Sequence, residues 1–435
     1  MTPLARGLGV AVLSGLGVGA AGAGPALAGG AAREVLPNGL VVLVQENPAA
    51  PVVAMALLVR VGAAHERPET NGVTALLGRT LLKGTRTRPA LELAQAAEDA
   101  GGALESATDQ EYSELRARGL ARHWRTLLGL LHDVATAPSL LPEEIERERE
   151  SLLAQLRGLE DQPFQVANRL LLRALYGDHP YGQPASGEAA IVRRLTRADL
   201  VRHFETFYTA ERMVLVVSGA VPAREVLAEA GRAFGPIPRG PAMPSLPAAP
   251  ERPAAARLAE RRATQQAQLL LGVLAPPIGH PDYVPLKVSS GVLGAGMSSR
   301  LFRALRDEAG LAYAVGAFYP SRRETSRFVV HIGTAPANLA QAEAGIRREL
   351  ARLREEPVPE DELARAKAVL AGGFALDLRT NARQSFYLGF FELMGAGHAF
   401  VGRYPGLIDA VTAADVQRVA RRYLDAPAVV VVGPE

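Results

Sequence analysis

Asn71-Gly72-Val73-Thr74-Ala75-Leu76-Leu77-Gly78-Arg79-Thr80-Leu81-Leu82-Lys83-Gly84-Thr85 is the stretch that decides how this chain is read. Residues 72–83 have helical spacing, and positions 75 and 79, four apart, fall on one helix face. Upstream, Val35-Leu36-Pro37-Asn38-Gly39-Leu40-Val41-Val42-Leu43-Val44 sets two apolar, β-branched runs around a Pro-Asn-Gly turn, which predicts a hairpin. Val52 to Val61 is a further apolar strand, ending at Gly62. Downstream, residues 88–100 predict a second helix, stopped by Gly101-Gly102. A strand pair follows around 103–118, then a helix over roughly 121–136. Pro142 opens another, with Glu143 and Glu144 behind it; proline suits a first helical turn and the acids complement the helix dipole.

Farther on, Pro236, Pro238, Pro241, Pro244, Pro247, Pro250 and Pro253 crowd one segment. So much proline removes backbone donors and fixes φ, so residues 236–254 predict an extended linker. It separates a domain over 29–235 from one over 255–435, and the two run in the same order. Each begins with strands (35–61; 256–274), passes through a helix and a second strand set (72–118; 283–334), and closes on long helices. Pro142-Glu143-Glu144 is echoed by Pro359-Glu360-Asp361. A tandem duplication of an α+β unit is the economical reading. Strands clustered before helices predict largely antiparallel sheets with helices on one face.

Composition narrows the function classes. The 435 residues are 48% hydrophobic and 21% charged, which fits two globular domains or more. There is no cysteine, which excludes disulfides, thiolate zinc sites and cysteine nucleophiles. Of 48 basic residues only Lys83, Lys287 and Lys367 are lysine. The arginines are scattered among Glu and Asp rather than clustered, so a nucleic-acid partner is not expected. Residues 1–28 read as a secretory signal: Arg6, an apolar run from Gly7 to Ala20, and Ala26-Leu27-Ala28 as the cleavage site. The run is short and rich in glycine and alanine, so stable membrane insertion is not expected. Export, most simply to a bacterial periplasm, is.

The 71–85 stretch resembles the metal helix of the pitrilysin/insulinase-type (inverzincin) zinc peptidases. That family carries H-x-x-E-H within N-G-x-x-H-x-x-E-H-x-x-x-K-G-T; two histidines on one helix face ligate zinc while the Glu polarises bound water. The frame matches at Asn71, Gly72, Lys83, Gly84 and Thr85, but the chemical positions differ. Ala75 and Arg79 stand where the histidines would be, and Gly78 where the base would be. The third family ligand is a Glu following an E-R-E-R run; here Glu146-Arg147-Glu148-Arg149 is present, with Gln155 at the ligand position. An amide lacks the charge and basicity of carboxylate, and a guanidinium repels a divalent cation, so no zinc is expected in this chain. The opening Leu36-Pro37-Asn38-Gly39-Leu40, Gly62, Glu66 and His179-Pro180-Tyr181-Gly182 also fall in family order. His179 itself reads as structural. Where family members carry Asn-Ala on the substrate-pairing strand, this chain has Glu105-Ser106.

In the second half, Gly294-Ala295-Gly296-Met297-Ser298-Ser299-Arg300-Leu301-Phe302 leads into Leu305-Arg306-Asp307-Glu308-Ala309-Gly310-Leu311-Ala312-Tyr313. This resembles the family's glycine turn, here at Gly294 and Gly296 beside the substrate chamber, and its R-x-x-x-G-L-x-Y segment. From spacing alone the bland reading stands, with Arg306 in a surface ion pair and Tyr313 half-buried. The resemblance implies more: Arg306 holds a substrate carbonyl, and Tyr313 donates to the oxyanion of the tetrahedral intermediate. It also implies half of a clamshell, similar to the Arg/Tyr-bearing subunit of bacterial two-chain members and to mitochondrial processing peptidase subunits. The expected function is the non-catalytic subunit of a heterodimeric zinc peptidase acting on peptides, inactive alone. A homologous H-x-x-E-H subunit would hold the zinc and receive Arg306 and Tyr313 in trans. The alternative is a non-enzymatic structural or peptide-binding protein derived from the same fold.

Overall fold

Asn38 and Gly39 reverse the chain as a hairpin requires: Gly39 takes φ +94°, and the Asn38 carboxamide donates to the carbonyls of Phe234, Gly235 and Ile237. The turn joins β1 (Ala32–Val35) to β2 (Val41–Glu46) in antiparallel register. The structure, a computed structural model, describes residues 30–434. The leader expected over residues 1–28 lies outside them.

The first half continues through β3 (Val52–Val59), α1 (Val73–Thr80), α2 (Ala90–Asp99), β4 (Ala103–Thr108) and β5 (Ser113–Leu120). Then come α3 (Trp124–Thr136), α4 (Pro142–Glu160), α5 (Pro163–Tyr176), α6 (Ala189–Val192), α7 (Arg197–Phe207), β6 (Met213–Gly219) and α8 (Ala223–Phe234). Residues 235–256 carry neither helix nor strand. The second half repeats the sequence of elements: β7 (Arg257–Arg261), β8 (Ala267–Ala275), α9 (Tyr283–Gly294), a π-helical stretch Phe302–Glu308, β9 (Ala312–Phe318) and β10 (Ser326–Thr334). It closes with α10 (Leu339–Glu355), α11 (Glu360–Asp377), α12 (Asn381–Leu393), α13 (Phe400–Asp409), α14 (Ala413–Tyr423) and β11 (Ala428–Gly433).

The two sheets, β1-β2-β6-β3-β5-β4 and β7-β11-β8-β10-β9, have one topology once β1 is set aside. In each, a single parallel pair (β2–β6, β7–β11) is followed by antiparallel neighbours throughout. The duplicated α+β unit and its mainly antiparallel sheets are therefore as the sequence suggests. What the sequence does not suggest is how the second face of each sheet is covered. Helix α5 of the first half lies on β8 and β11, and α12 of the second half lies on β3 and β6. Leu171 and Leu175 thus join a core with Leu270, Val329 and Val430, while Leu58 and Val216 join one with Leu388 and Phe391. Two glycines let these crossings close. A Cβ on Gly389 of α12 would stand 2.4 Å from Leu58 Cδ1, and one on Gly272 of β8 2.9 Å from Leu171 Cδ1.

A polar seam runs beside these crossings. Arg322, from the turn after β9, ion-pairs with Asp109 in the β4–β5 turn. Glu111 accepts from the Arg323 backbone N–H at 3.0 Å and from the Tyr181 hydroxyl. His179 is part of the same fastening. Its Nδ1 accepts from the Tyr181 backbone N–H at 3.1 Å, so Nε2 carries the proton and donates to the Pro247 carbonyl at 3.0 Å. That contact ties the proline-rich stretch to the first half and gives His179 the structural role its setting suggests.

Candidate functional site

Helix α1 starts from a built cap. Gly72 is left-handed at φ +101°, and the buried Glu66 carboxylate accepts from the backbone N–H groups of Gly72 and Thr74, both at 2.7 Å, and from the Asn71 amide at 2.9 Å. Burial pushes that carboxyl up to about 7 against the pull of these donors. The cap gives Glu66, Asn71 and Gly72 a structural role at the start of α1 that does not depend on the residues behind them.

Ala75 is buried, and Arg79 reaches across to α4. Its Nη2 donates to Gln155 Oε1, while Nη1 donates to Glu148 Oε2 and Ser151 Oγ, both at 3.3 Å. Lys83 holds the other Glu148 oxygen at 2.8 Å. Positions 79 and 155 are thus brought together, and a guanidinium and an amide meet there. Gly78 closes the fourth position, since a Cβ on it would lie 2.7 Å from Thr108 Cγ2 on β4. A side chain at 78 meets that methyl and the Ser106 Oγ at 3.3 Å, so the Thr108 side chain must shift to admit it. This donor set does not fit zinc. Among the described residues no group of three or more His, Asp or Glu lies close enough to hold a metal ion. Glu148 was legible only as part of the E-R-E-R landmark; its clamp on Arg79 and Lys83 was not.

Strand β4, carrying Glu105 and Ser106, is an edge of the first sheet, and Glu105 ion-pairs at 2.9 Å with Arg118 on β5. Behind α1, His203 Nε2 lies 2.9 Å from Thr74 Oγ1. Burial pushes its imidazole down to about 3, and that of His65 down to about 4. A depressed histidine contributes stability above its unfolded pKa near 6.5, and that stability is lost as pH falls toward the folded value. Between pH 6.5 and 5, His203 alone withdraws about 2 kcal/mol, at 1.36 kcal/mol per pH unit. His203→Gln keeps an amide for Thr74, so its loss of stability from pH 7 to pH 5 should be smaller by about that amount. Glu66 titrates in the opposite sense in both proteins and cancels in the comparison. Denaturant midpoints at the two pH values are the measurement, and parallel curves would refute the assignment.

In the second half, Gly294 ends α9 so close to β9 that a Cβ would sit 2.0 Å from the Ala317 nitrogen. Gly296 turns the chain at φ +82°. Both glycines thus have backbone reasons to be there. Arg306 follows on the π-helical stretch, and its guanidinium lies over two rings, 4.7 Å from Phe302 and 5.5 Å from Tyr313. Strand β9 is the edge of its sheet, and its register steps from Ala314↔Gly333 to Ala312↔Thr334. Tyr313 is therefore the extra residue of a β-bulge, a device that re-aims one side chain. It is 78% exposed. Among the described residues Arg306 makes no ion pair, so the surface-salt-bridge and half-buried-tyrosine reading does not describe the pair. Sequence spacing placed these two residues but held no sign of the bulge. No hydrogen bond or ion pair among the described residues joins them to the Arg79–Gln155 pair.

A duplicated α+β chain of this topology, with a metal-helix frame whose ligand positions hold Ala, Arg and Gln, defines a peptidase-type fold without its own metal set. Residues 41–189 match the family model for insulinase (peptidase family M16), and residues 194–370 match that for the peptidase M16 inactive domain. An uncharacterized zinc protease of Streptomyces coelicolor is 30% identical over 414 residues, covering 92% of this chain and 89% of that protein. The uncharacterized zinc protease YmxG of Bacillus subtilis is 27% identical over 390 residues, 90% of this chain and 95% of that one. The chain belongs to the M16 (insulinase) peptidase family. Its fold matches a solved peptidase M16 inactive domain from Pseudomonas fluorescens at TM-score 0.87 and 22% identity, covering 93% of this chain and 98% of that chain. A chain of Complex III2 from Candida albicans matches at TM-score 0.81 and 19% identity, covering 93% and 96%. Among the described residues no helix is long and apolar enough to cross a membrane.

Proposed function

We propose that this chain is the non-catalytic half of an exported, two-subunit zinc peptidase, and that it donates Arg306 and Tyr313 in trans. The observation that carries the reading is the contrast between the two halves. Where the family holds metal, Arg79 and Gln155 close on each other; where it handles substrate, Arg306 and Tyr313 stand together, exposed and, among the described residues, without an ion-pair partner for the arginine. A homologous partner with the H-x-x-E-H motif supplies the zinc, its ligands and the base. On this chain, the Tyr313 hydroxyl donates to the oxyanion as it develops, and Arg306 orients the carbonyl of the peptide being cut. A closed chamber admits flexible peptides in preference to folded proteins.

The test is reconstitution. Each subunit is assayed alone on a quenched peptide, then the two together. The mixture is expected to cleave and this chain alone is not. Stoichiometric zinc binding by this chain alone, or an inactive mixture, would sink the proposal. An inactive mixture in a stable complex would favour the second reading, a structural or peptide-binding role, to which the Complex III2 likeness lends fold alone.

A further inference from the structure

A cavity of about 610 Å³ lies on the seam between the halves, and nothing in the proposed chemistry uses it. Its walls are the end of α4, one face of α5, the loop into α6, and Arg322 and Arg327 from the second half. It begins at Leu156, the residue after Gln155, and reaches Asp109, the residue after β4 ends. The cavity thus begins one residue along the chain from Gln155 and one from the edge strand β4. Its size is in the range of ligand pockets.

Its charge is unbalanced. Three carboxylates line it, and each is engaged: Asp109 by Arg322, Glu160 by Arg169 and Glu188 by Arg173. Three more arginines, Arg157, Arg193 and Arg327, line the same walls with no carboxylate in ion-pair range among the described residues. Arg327 is the telling one. Among the described residues its Nε is buried without a hydrogen-bond partner. Burial and the neighbouring Arg322 weigh against its charge, while Tyr176 and Asp109 weigh for it. A guanidinium drawn partly out of water with no carboxylate in ion-pair range is costly, and an anion bound beside it offsets that cost. A second orphan specifies the ligand further: Asn168 Oδ1, in the same wall, is buried with no donor among the described residues. A ligand that satisfies both atoms carries an anionic acceptor and a donor, as a peptide does with a carboxylate and an N–H.

We propose that this seam cavity binds a carboxylate borne on a peptide, either an acidic side chain or a free C-terminus. The inference rests on the reading of the chain as a peptide-handling subunit, and gives that subunit a substrate preference of its own.

The test is binding by the full chain, without partner, of four fluorescent octapeptides that differ only in Glu against Gln and in a free against an amidated C-terminus. Anisotropy at low salt is expected to show the Glu or free-acid peptides binding about tenfold more tightly than the neutral one, as a charge-assisted bond supplies. The double variant Arg157→Gln/Arg193→Gln, on exposed positions, should remove most of that preference and leave the neutral peptide unchanged. Arg327→Gln should do the same if it folds. A preference carried by Glu with an amidated end assigns the side chain; one carried by the free acid with Gln assigns the C-terminus, and either supports the site. Equal affinity for all four peptides overturns it. So does a preference that survives the double variant, or binding of inorganic phosphate alone with none of peptide. Failure here and failure of trans catalysis are separable. An inactive mixture with the preference intact leaves the cavity standing, and an active mixture without the preference removes the cavity alone.

Discussion

Tyr313→Phe is expected to lower kcat of the reconstituted pair about 10²- to 10³-fold with little change in KM, the loss typical of one oxyanion donor. The reason is timing. The oxyanion exists only as the peptide bond is attacked, so a donor aimed at it strengthens in the transition state and does not alter ground-state binding. The variant removes one oxygen from a side chain that is 78% exposed at a strand bulge, so the fold has nothing to lose. Stability should stay within about 0.5 kcal/mol of the parent. A rate loss at constant stability is therefore chemistry. Arg306 differs, because a cation over a substrate carbonyl acts in both ground and transition states. Arg306→Ala should raise KM as well as lower kcat, and it also releases the Tyr313 ring from a contact worth about 0.5–1 kcal/mol. Arg306→Lys keeps the charge and should recover part of the loss. Unchanged rates in both Tyr313→Phe and Arg306→Ala would end the idea of a shared active site.

The parts of this molecule that were legible in its sequence are those fixed by neighbours along the chain. Pro37-Asn38-Gly39 turns because of what those three residues are, and Pro142 opens α4 for the same reason. The frame around Arg79 was legible because Glu66, Asn71 and Gly72, close along the chain, build the cap that starts α1. Less legible were features that depend on a distant partner. The reading of 72–83 as helix runs past Thr80, where α1 stops short of Lys83, whose amine reaches Glu148. Spacing alone made Tyr313 half-buried, because a regular strand alternates faces; the bulge opposite Gly333 and Thr334 breaks that alternation, and nothing local to Tyr313 announces it. Helices α5 and α12 are apolar enough to cover a sheet, and periodicity cannot say that the sheet belongs to the other half.

That exchange makes the second large prediction. Gly389→Val should destabilise the whole chain by about 1–3 kcal/mol, the usual range for overpacking. The Cβ enters a space where Leu58 Cδ1 stands at 2.4 Å and Val216 Cγ2 at 2.9 Å, and Leu58 is fully buried in close-packed surroundings. Helix propensity does not explain such a loss, because replacing glycine inside a helix ordinarily helps. Gly373→Ala, on α11 with nothing within 4 Å of its Cβ, is the control and should gain about 0.5–1 kcal/mol. The chain supplies its own reporter: its single tryptophan, Trp124, sits buried on α3 in the first half, whereas Gly389 belongs to the second. If α12 is part of the first half's core, Trp124 fluorescence must follow the Gly389→Val transition to lower denaturant, together with the far-ultraviolet signal of the helices. Two separate transitions, with the Trp124 midpoint unmoved, would mean that the halves are stable independently and that the exchanged helices couple nothing. A joint shift would mean that neither sheet is complete without a helix from the other half. The surface carrying Arg306 and Tyr313 is then held by one folding unit rather than by a domain free to swing.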